Sequence, residues 1–395
     1  MDIIFLETSF VPFVAVSKMK NLNPKTNLLA HSEAKVNLYG KYLSVFLNIL
    51  HNANFERIFL FDLFCGEGLY ENGIAGSPII ALKAIKNHYF AKQKSIPNMT
   101  VWFNDNGLSE IESGIYKVDR VEKAKSTIFM PDNVDIVFSK ENFEDIYPKA
   151  IEETKSAKNS RALFFIDPFG YKSIKPDDIR KMLESMNSEV LLWLPIAQMY
   201  RFADSVMHSS FPGSEPLRIF LTELFGKVIP SFQSPHEFIE QLRGRFRAYL
   251  RDLGVFVDTF ILERDASNVY CLFFFTRNAR GYEKMLEAKW SIDPSRGKGH
   301  SLEKTFSLFD EIELSGYPQK LRAFITSADY RTNKELYLFG LDNGFLPKHT
   351  NKIIREWKKE DKIEVISLDG NPVNGFYIEY DPERRVGFRL KDNIS

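Results

Sequence analysis

Residues 59–78 read FLFDLFCGEGLYENGIAGSP, and the order of events within them decides the fold. The run IFLFDLF (58–64) is apolar apart from one acid, Asp62, the pattern of a strand buried on both faces in a parallel sheet. Gly66 and Gly68 follow at once, and without a Cβ the backbone there can approach a ligand closely. LYENGIAG then delays a helix, SPIIALKAIKNHYF (77–90), with Ser77 expected as N-cap and Pro78 at its first position. Strand, glycine turn and helix in that order open an α/β unit. The turn itself can be a cofactor cradle, a phosphate loop or only a tight connection.

The same alternation continues outward. HSEAKVNLYGKYLSVFLNIL (31–50) places Val36, Tyr39, Leu43, Phe46, Leu47 and Leu50 at helical spacing, so an amphipathic helix precedes the first strand. Strands are expected at 100–105, 134–139, 161–170 and 189–199, with helices at 108–128, 143–157 and 177–186 between them. Such alternation implies right-handed crossovers and a doubly wound, Rossmann-like sheet. A mostly helical insertion follows at about 200–250. The aromatic strands GVFVDTFILE (254–263) and NVYCLFFFTRN (268–278) then close the sheet as an antiparallel hairpin, followed by a helix over 279–290. The expected divisions are an N-terminal extension over 1–28, the α/β domain over 29–292, a Gly-, Pro- and Ser-rich linker over 293–316, and a last domain over 317–395. In that last domain three short helices (317–329, 332–344, 347–362) precede a hairpin of KIEVISL and GFYIEYDP around DGNPVNG, a winged-helix pattern.

Composition narrows the class. A chain of 395 residues with 44% hydrophobic and 26% charged residues can bury a core and is neither disordered nor membrane-like in composition. Lys plus Arg equals Asp plus Glu at 52 each, so any nucleic-acid binding must come from a local patch. Two distant cysteines, Cys65 and Cys271, exclude a disulfide framework or a Cys-rich zinc site, and no metal is expected; a reducing cytoplasm fits. The N-terminal apolar run is short, carries Asp2 and Glu7 and lacks a basic start, so neither export nor membrane insertion is expected.

In an open α/β sheet, ligands bind beyond the carboxyl ends of the strands where the topology reverses. No Lys-Ser or Lys-Thr follows the glycines, which removes a P-loop, and GEG without a third glycine removes the dinucleotide fingerprint. What remains is Asp62, a short Gly-x-Gly turn and a second acid, Asp105, at the end of the second strand. Backbone approach, an acid for a ribose and a pocket for adenine are what S-adenosylmethionine needs. ENFED (141–145) can line that pocket with Asn142 or Asp145 as polar contacts and Phe143 as the apolar wall; the alternative is that Asp105 caps the next helix and Phe143 packs in the core. At the fourth strand FFIDPFG sets Asp167 and Pro168 at the same rim, where a carboxylate or carbonyl can accept an amine proton and Phe169 can stack on a base; a plain Asp-Pro turn explains them too. His31, Glu33 and Lys35 lie on the preceding helix. Cys65 beside the glycines reads as a small packed residue. Along the third helix of the last domain, Lys348, His349, Lys352 and Arg355 form a face compatible with phosphate contacts, diluted by Glu356 and Glu360.

DLFCGEGLYENGIAGSPIIAL, FNDN and FIDPFG together resemble the three-Cys-motif partner family, whose first motif reads approximately DLFAGPGxY…GSPxxAL. The likeness covers most of the chain, from the helix bearing Lys35 to the winged helix. It implies an S-adenosylmethionine-dependent methyltransferase, more distantly similar to ribosomal-RNA adenine-N6 methyltransferases with an HxxxK helix and a DPPY motif. It implies Lys35, Asp62, Phe64, Cys65, Gly66, Gly68 and Ser77 at the cofactor, Asp105 at its ribose, Asn142 and Phe143 near its adenine, and Asp167, Pro168, Phe169 and Gly170 at the acceptor. It also implies a partner protein carrying a three-Cys motif, in a mobile or phage-linked setting. Cys65 replaces the usual alanine, and DPFG lacks the second proline and terminal aromatic of DPPY, which bears directly on adenine-N6 chemistry. The expected activity is methyl transfer to nucleic acid. The alternatives are a catalytically silent scaffold that binds nucleic acid or a protein through its winged helix, and a small-molecule or protein methyltransferase.

Overall fold

Strand β1 (Arg57–Asp62) is buried on both faces because its apolar side chains alternate between two cores, Ile58 and Leu60 on one side and Phe59 and Phe61 on the other. The computed structural model describes residues 23, 26–28, 30–51, 55–92, 97–168, 170, 174–185, 187–208, 213–265, 267–293, 299–301, 316–370, 373, 375–381, 383 and 386–391. Helix α1 (Ala30–His51) precedes β1, and α2 (Ser77–Lys92), β2 (Asn98–Asn104), α3 (Lys117–Lys125), β3 (Val134–Ser139), α4 (Phe143–Thr154), β4 (Ser160–Ile166), α5 (Pro176–Glu184) and β5 (Ser188–Leu194) follow. Helices α6 (Ile196–Ala203), α7 (Ser205–His208), α8 (Glu215–Phe225) and α9 (Pro235–Tyr249) form the insertion. The hairpin β6 (Phe256–Asp265) and β7 (Asn268–Thr276), helix α10 (Ala279–Ile292) and edge strand β8 (Gly299–Ser301) complete the domain.

The sheet order is β3-β2-β1-β4-β5-β7-β6-β8. Strands β1 to β5 run parallel, while β7 inserts antiparallel between β5 and β6. A reversal between β1 and β4 with an antiparallel β7 is the Rossmann-like methyltransferase arrangement, and it sets the ligand crevice at the carboxyl ends of β1 and β4. Helices α1, α2 and α10 cover one face, and α4, α5 and the insertion cover the other.

The last domain is a winged helix of α11 (Tyr317–Thr326), β9 (Arg331–Thr332), α12 (Asn333–Asp342), α13 (Pro347–Lys359), β10 (Ile363–Ser367) and β11 (Val386–Leu390), with sheet order β10-β11-β9. Its core is continuous with that of α1 and α10. Trp290 donates to the Gly344 carbonyl at 3.0 Å, Arg247 pairs with Asp342 at 2.9 Å, and Tyr337 donates to Glu283 at 2.8 Å, so the domain is clamped onto α10 and α9.

Several expectations shift. Residues 108–116 are a loop, because Gly114 adopts φ +83°, Leu108 bridges Tyr116, and Glu67 accepts from the Glu110 amide at 2.7 Å. The strand expected over 189–199 stops at Leu194, where Pro195 begins α6. Helix α2 starts one residue early: the Gly76 carbonyl takes its first bond, from Ile80 at 3.1 Å, so Ser77 is its first residue instead of its cap. Within the expected linker, Gly299–Ser301 pairs parallel with β6. The partner of β10 is Val386–Leu390, not GFYIEYDP. Residues 375–381 are held instead by side chains. Asn351 accepts from the Ile378 amide at 2.9 Å and donates to its carbonyl at 2.9 Å, and Asn333 donates to the Glu379 carbonyl at 3.0 Å. A segment whose backbone groups are satisfied by buried amides has no need of a ladder.

Candidate functional site

The site grows from β1 outward. Asp62, the last residue of the strand, is fully buried, and neither carboxylate oxygen completes a hydrogen bond of normal geometry. Burial pushes its pKa up to about 7; the nearby Ser77 hydroxyl and Phe64 amide oppose the rise, and the Asp167 and Asp105 charges add to it. Beside it the Tyr39 hydroxyl is also buried without a hydrogen bond, its ring stacked on Phe165 at 4.3 Å. Burial and then the Asp62 charge raise its pKa well above the usual phenol range.

The chain leaves Asp62 through two left-handed glycines, Gly66 at φ +65° and Gly68 at φ +74°. A Cβ on Gly68 would meet Val121 Cγ2 at 2.9 Å, so this turn also needs glycine for packing against α3. Glu67 between them is buried and fully partnered, accepting from Arg120 at 2.6 Å and from the Ser109 hydroxyl at 2.8 Å. It pins the turn to the 107–116 loop. Asp105 accepts from the Gly66 amide at 2.9 Å and from the Gly107 amide at 2.8 Å. Each oxygen keeps a second lone pair for a ligand.

The insert after the glycines folds back on itself through a Leu69–Ala75 bridge. The Thr26 carbonyl accepts from Glu71 at 3.0 Å and the Leu28 carbonyl accepts from Asn72 at 2.9 Å, so residues 26–28 lie against this insert. Tyr70 points back, with its hydroxyl 3.4 Å from where a Gly66 Cβ would stand. Burial, followed by the Asp167, Glu67 and Asp105 charges, raises that hydroxyl above the phenol range.

At the carboxyl end of β4, Asp167 forms an ion pair with the Lys35 ammonium of α1, which is buried and stands 5.0 Å from the centroid of the Trp193 ring. Trp193, on β5, stacks on Tyr270 at 5.5 Å. Pro168 is buried and Gly170 takes φ +98°, while Phe169 lies outside the described residues. Phe64 stacks on Phe143 at 5.2 Å, and exposed Asn142 accepts from Asn106 at 2.7 Å. Cys65 is buried, and burial followed by Asp62 and Asp105 raises its thiol pKa, so it is packed and unreactive.

Asp62, Cys65, Gly66, Gly68, Ser77, Asp105, Lys35 and Asp167 thus gather at the carboxyl ends of β1 and β4, with Phe64, Phe143 and Asn142 on the β3 side. Sequence reasoning misses Tyr70, Tyr39 and Trp193. Glu67 carried a usable signal, since an acid between two glycines at a strand end is buried only with partners. On α13, Lys348, Lys352 and Arg355 are exposed. His349 is not with them. It is buried, accepts from the Leu346 amide through Nδ1 at 3.1 Å and packs 4.4 Å from Trp290; burial and then Lys348 and Lys352 lower its pKa to about 4. Among the described residues no cluster of His, Cys, Asp and Glu is arranged to hold a metal, and no helix is long and apolar enough to cross a membrane.

The sheet order and the crevice at its switch point define a methyltransferase-type α/β protein with an appended winged helix. A family model described as a GMT-like wHTH domain matches residues 291–370. Among solved structures, Trm1 from Pyrococcus horikoshii in complex with S-adenosyl-L-methionine is similar at 15% identity and TM-score 0.36, over 64% of this chain and 58% of that one. Loganic acid methyltransferase with SAH is similar at 9% identity and TM-score 0.26, over 64% of this chain and 98% of that one. SCL7 of Oryza sativa is similar at 10% identity and TM-score 0.28, over 62% and 84%. No curated protein matches at a significant level. These are distant likenesses, and the reading of the crevice rests on its own residues.

Proposed function

We propose that the chain is an S-adenosylmethionine-dependent methyltransferase acting on nucleic acid. The observation that carries this reading is Asp62, a fully buried carboxyl group that completes no hydrogen bond of normal geometry and lies beside the glycine turn near the charges of Asp105 and Asp167. Asp62 and Asp105, beside an Asp167 already paired with Lys35, favour a cationic ligand, because an added positive charge offsets the acids that Lys35 does not reach. S-adenosylmethionine fits this donor set and supplies, when bound, a methyl group already activated on a sulfonium. Asp62 offers it negative charge, the Gly66–Gly68 turn offers close backbone approach, Asp105 offers its remaining lone pairs to hydroxyls, and the Phe64–Phe143 stack offers an apolar wall. Asp167 stands on the acceptor side and orients an amine by accepting its hydrogen, with Trp193 as the nearby ring. The contribution of these groups is mainly positioning.

Lys348, Lys352 and Arg355 on α13 support nucleic acid as the substrate class. A base amine, a phage-linked setting and a three-Cys-motif partner protein belong to the same reading through the family resemblance. A second reading, a silent scaffold, draws on one observation: Lys35 already neutralises Asp167. Calorimetry with S-adenosylmethionine, followed by transfer of a labelled methyl group to separate DNA, RNA and protein pools, decides between them. The enzyme reading requires binding, transfer to one nucleic-acid pool, and loss of transfer with binding retained in Asp167→Ala. Absence of binding to the folded chain overturns it.

A further inference from the structure

The irregular segment 375–381 carries an arrangement that neither the glycine crevice nor the helix α13 charges explain. Ile378 is buried and held at both backbone groups by Asn351, so the segment is fixed in place. Around it, three ring side chains each meet a cation from a neighbouring helix. Arg355 lies 5.7 Å from the Tyr377 ring, Lys358 lies 5.1 Å from Phe376, and Arg280 of α10 lies 6.0 Å from Tyr380. Tyr377 and Tyr380 are 39% and 44% exposed, and Arg280, Arg355 and Lys358 are all exposed as well. Phe376 packs on Phe388 at the core, while Tyr377 and Tyr380 stay open at the surface, each beside a positive charge, and present a ring and a phosphate contact together.

Duplex DNA hides its base faces in the stack and offers a recognition helix only edges and phosphates. Single strands expose the faces, and proteins that bind them pair a basic track with rings on which bases stack. We propose that Tyr377 and Tyr380, with Arg355, Lys358 and Arg280, form a docking surface for unpaired nucleic acid, so that this winged helix engages single-stranded or looped segments. The inference rests on the nucleic-acid reading above and specifies which form of substrate the chain holds. Two elements of the winged helix and one of the α/β domain build the surface, and the clamp at Trp290 keeps them in register.

The test uses the full chain and a fluorescein-labelled, mixed-sequence RNA of about twelve nucleotides, within the span such sites cover, alone and annealed to its complement. The single strand binds more tightly than the duplex. Tyr377→Ala and Tyr380→Ala each weaken single-strand binding by about ten-fold, in the range of one lost stacking contact, and Tyr377→Phe restores it. Arg355→Ala lowers the slope of log affinity against log salt by about 0.7, one phosphate contact on a single strand. Circular dichroism stays unchanged for both tyrosine variants; the unfolding midpoint stays unchanged for Tyr377→Ala and falls slightly for Tyr380→Ala, whose ring also packs 5.8 Å from Tyr337. Tighter duplex binding, or tyrosine variants with unaltered single-strand affinity, overturns the proposal while leaving the methyltransferase reading intact. Failure of cofactor binding in calorimetry removes that reading without touching this surface.

Discussion

Buried carboxylates at the two ends of the sheet are treated in opposite ways. Near the amino end of β5, Glu189 accepts from the Tyr42 hydroxyl and from Thr276 at 2.7 Å, and although burial raises its pKa, those hydrogen bonds and the Arg161 charge pull it back. On β6, Asp258 is paired with Lys289 at 2.6 Å, both side chains being 4% exposed. At the carboxyl end of β1, Asp62 is more deeply buried than either, and the nearby Ser77 hydroxyl and Phe64 amide complete no hydrogen bond of normal geometry to it. The fold can satisfy an interior acid and does so where the acid is structural. The weakly satisfied acid lies at the switch point, where the proposed function places the ligand.

Substitutions sharpen that contrast. The largest effect falls on Asp258→Ala, which strands the Lys289 ammonium inside the protein; a loss of about 3–5 kcal/mol in denaturant unfolding is expected. A loss below about 1 kcal/mol would show that the pair is not structural. Glu189→Leu leaves Tyr42 and Thr276 without their acceptor, and about 2 kcal/mol of stability goes with it. Asp62→Asn should behave unlike both: its stability at pH 8 stays within about 1 kcal/mol of the parent or improves, because a charge penalised mainly by burial is removed. Its affinity for S-adenosylmethionine falls by about ten-fold, equivalent to about 1.4 kcal/mol. If it unfolds like the Glu189 variant and binds cofactor normally, the distinction between the two ends collapses.

The pH dependence gives the smallest and most specific signal. The raised folded pKa of Asp62 means the folded protein binds its proton more tightly than the unfolded chain does. Its stabilising effect is present below the unfolded value near 4 and is lost as pH rises through about 7. A cation that prefers the ionised acid therefore binds more tightly as pH rises from about 6 to about 8, by a few-fold. Calorimetry across that window should show the trend in the parent and a flat profile in Asp62→Asn.

The α/β core is legible in the sequence because parallel strands covered on both faces are written as unbroken apolar runs, as in IFLFD and ALFFI. Asp62, Gly66, Gly68 and Asp167 are legible for the same reason: they are the first polar or glycine positions after such runs. The ion pair of Lys35 with Asp167 is not, since the partners are 132 residues apart and no local pattern announces them. Trp193 hides inside an apolar strand. The wing misleads because GFYIEY has strand composition, yet its polar backbone is claimed by Asn351 and Asn333, residues that a helical pattern presents as ordinary surface amides. His349 illustrates the opposite error: a histidine among lysines reads as part of a charged face, but the backbone turns it inward onto Trp290.

Trp290, Arg247 and Glu283 fasten the winged helix to the domain that carries the crevice. A module hung on a loose tether can sample many offsets along a polymer, whereas one bolted to the α/β domain works like a fixed-span caliper. Under the proposed function, nucleic acids would be sorted by spacing: lengthening or shortening the stretch between the docked segment and the reacting nucleotide by a few nucleotides should silence methyl transfer even when every contacted group is preserved.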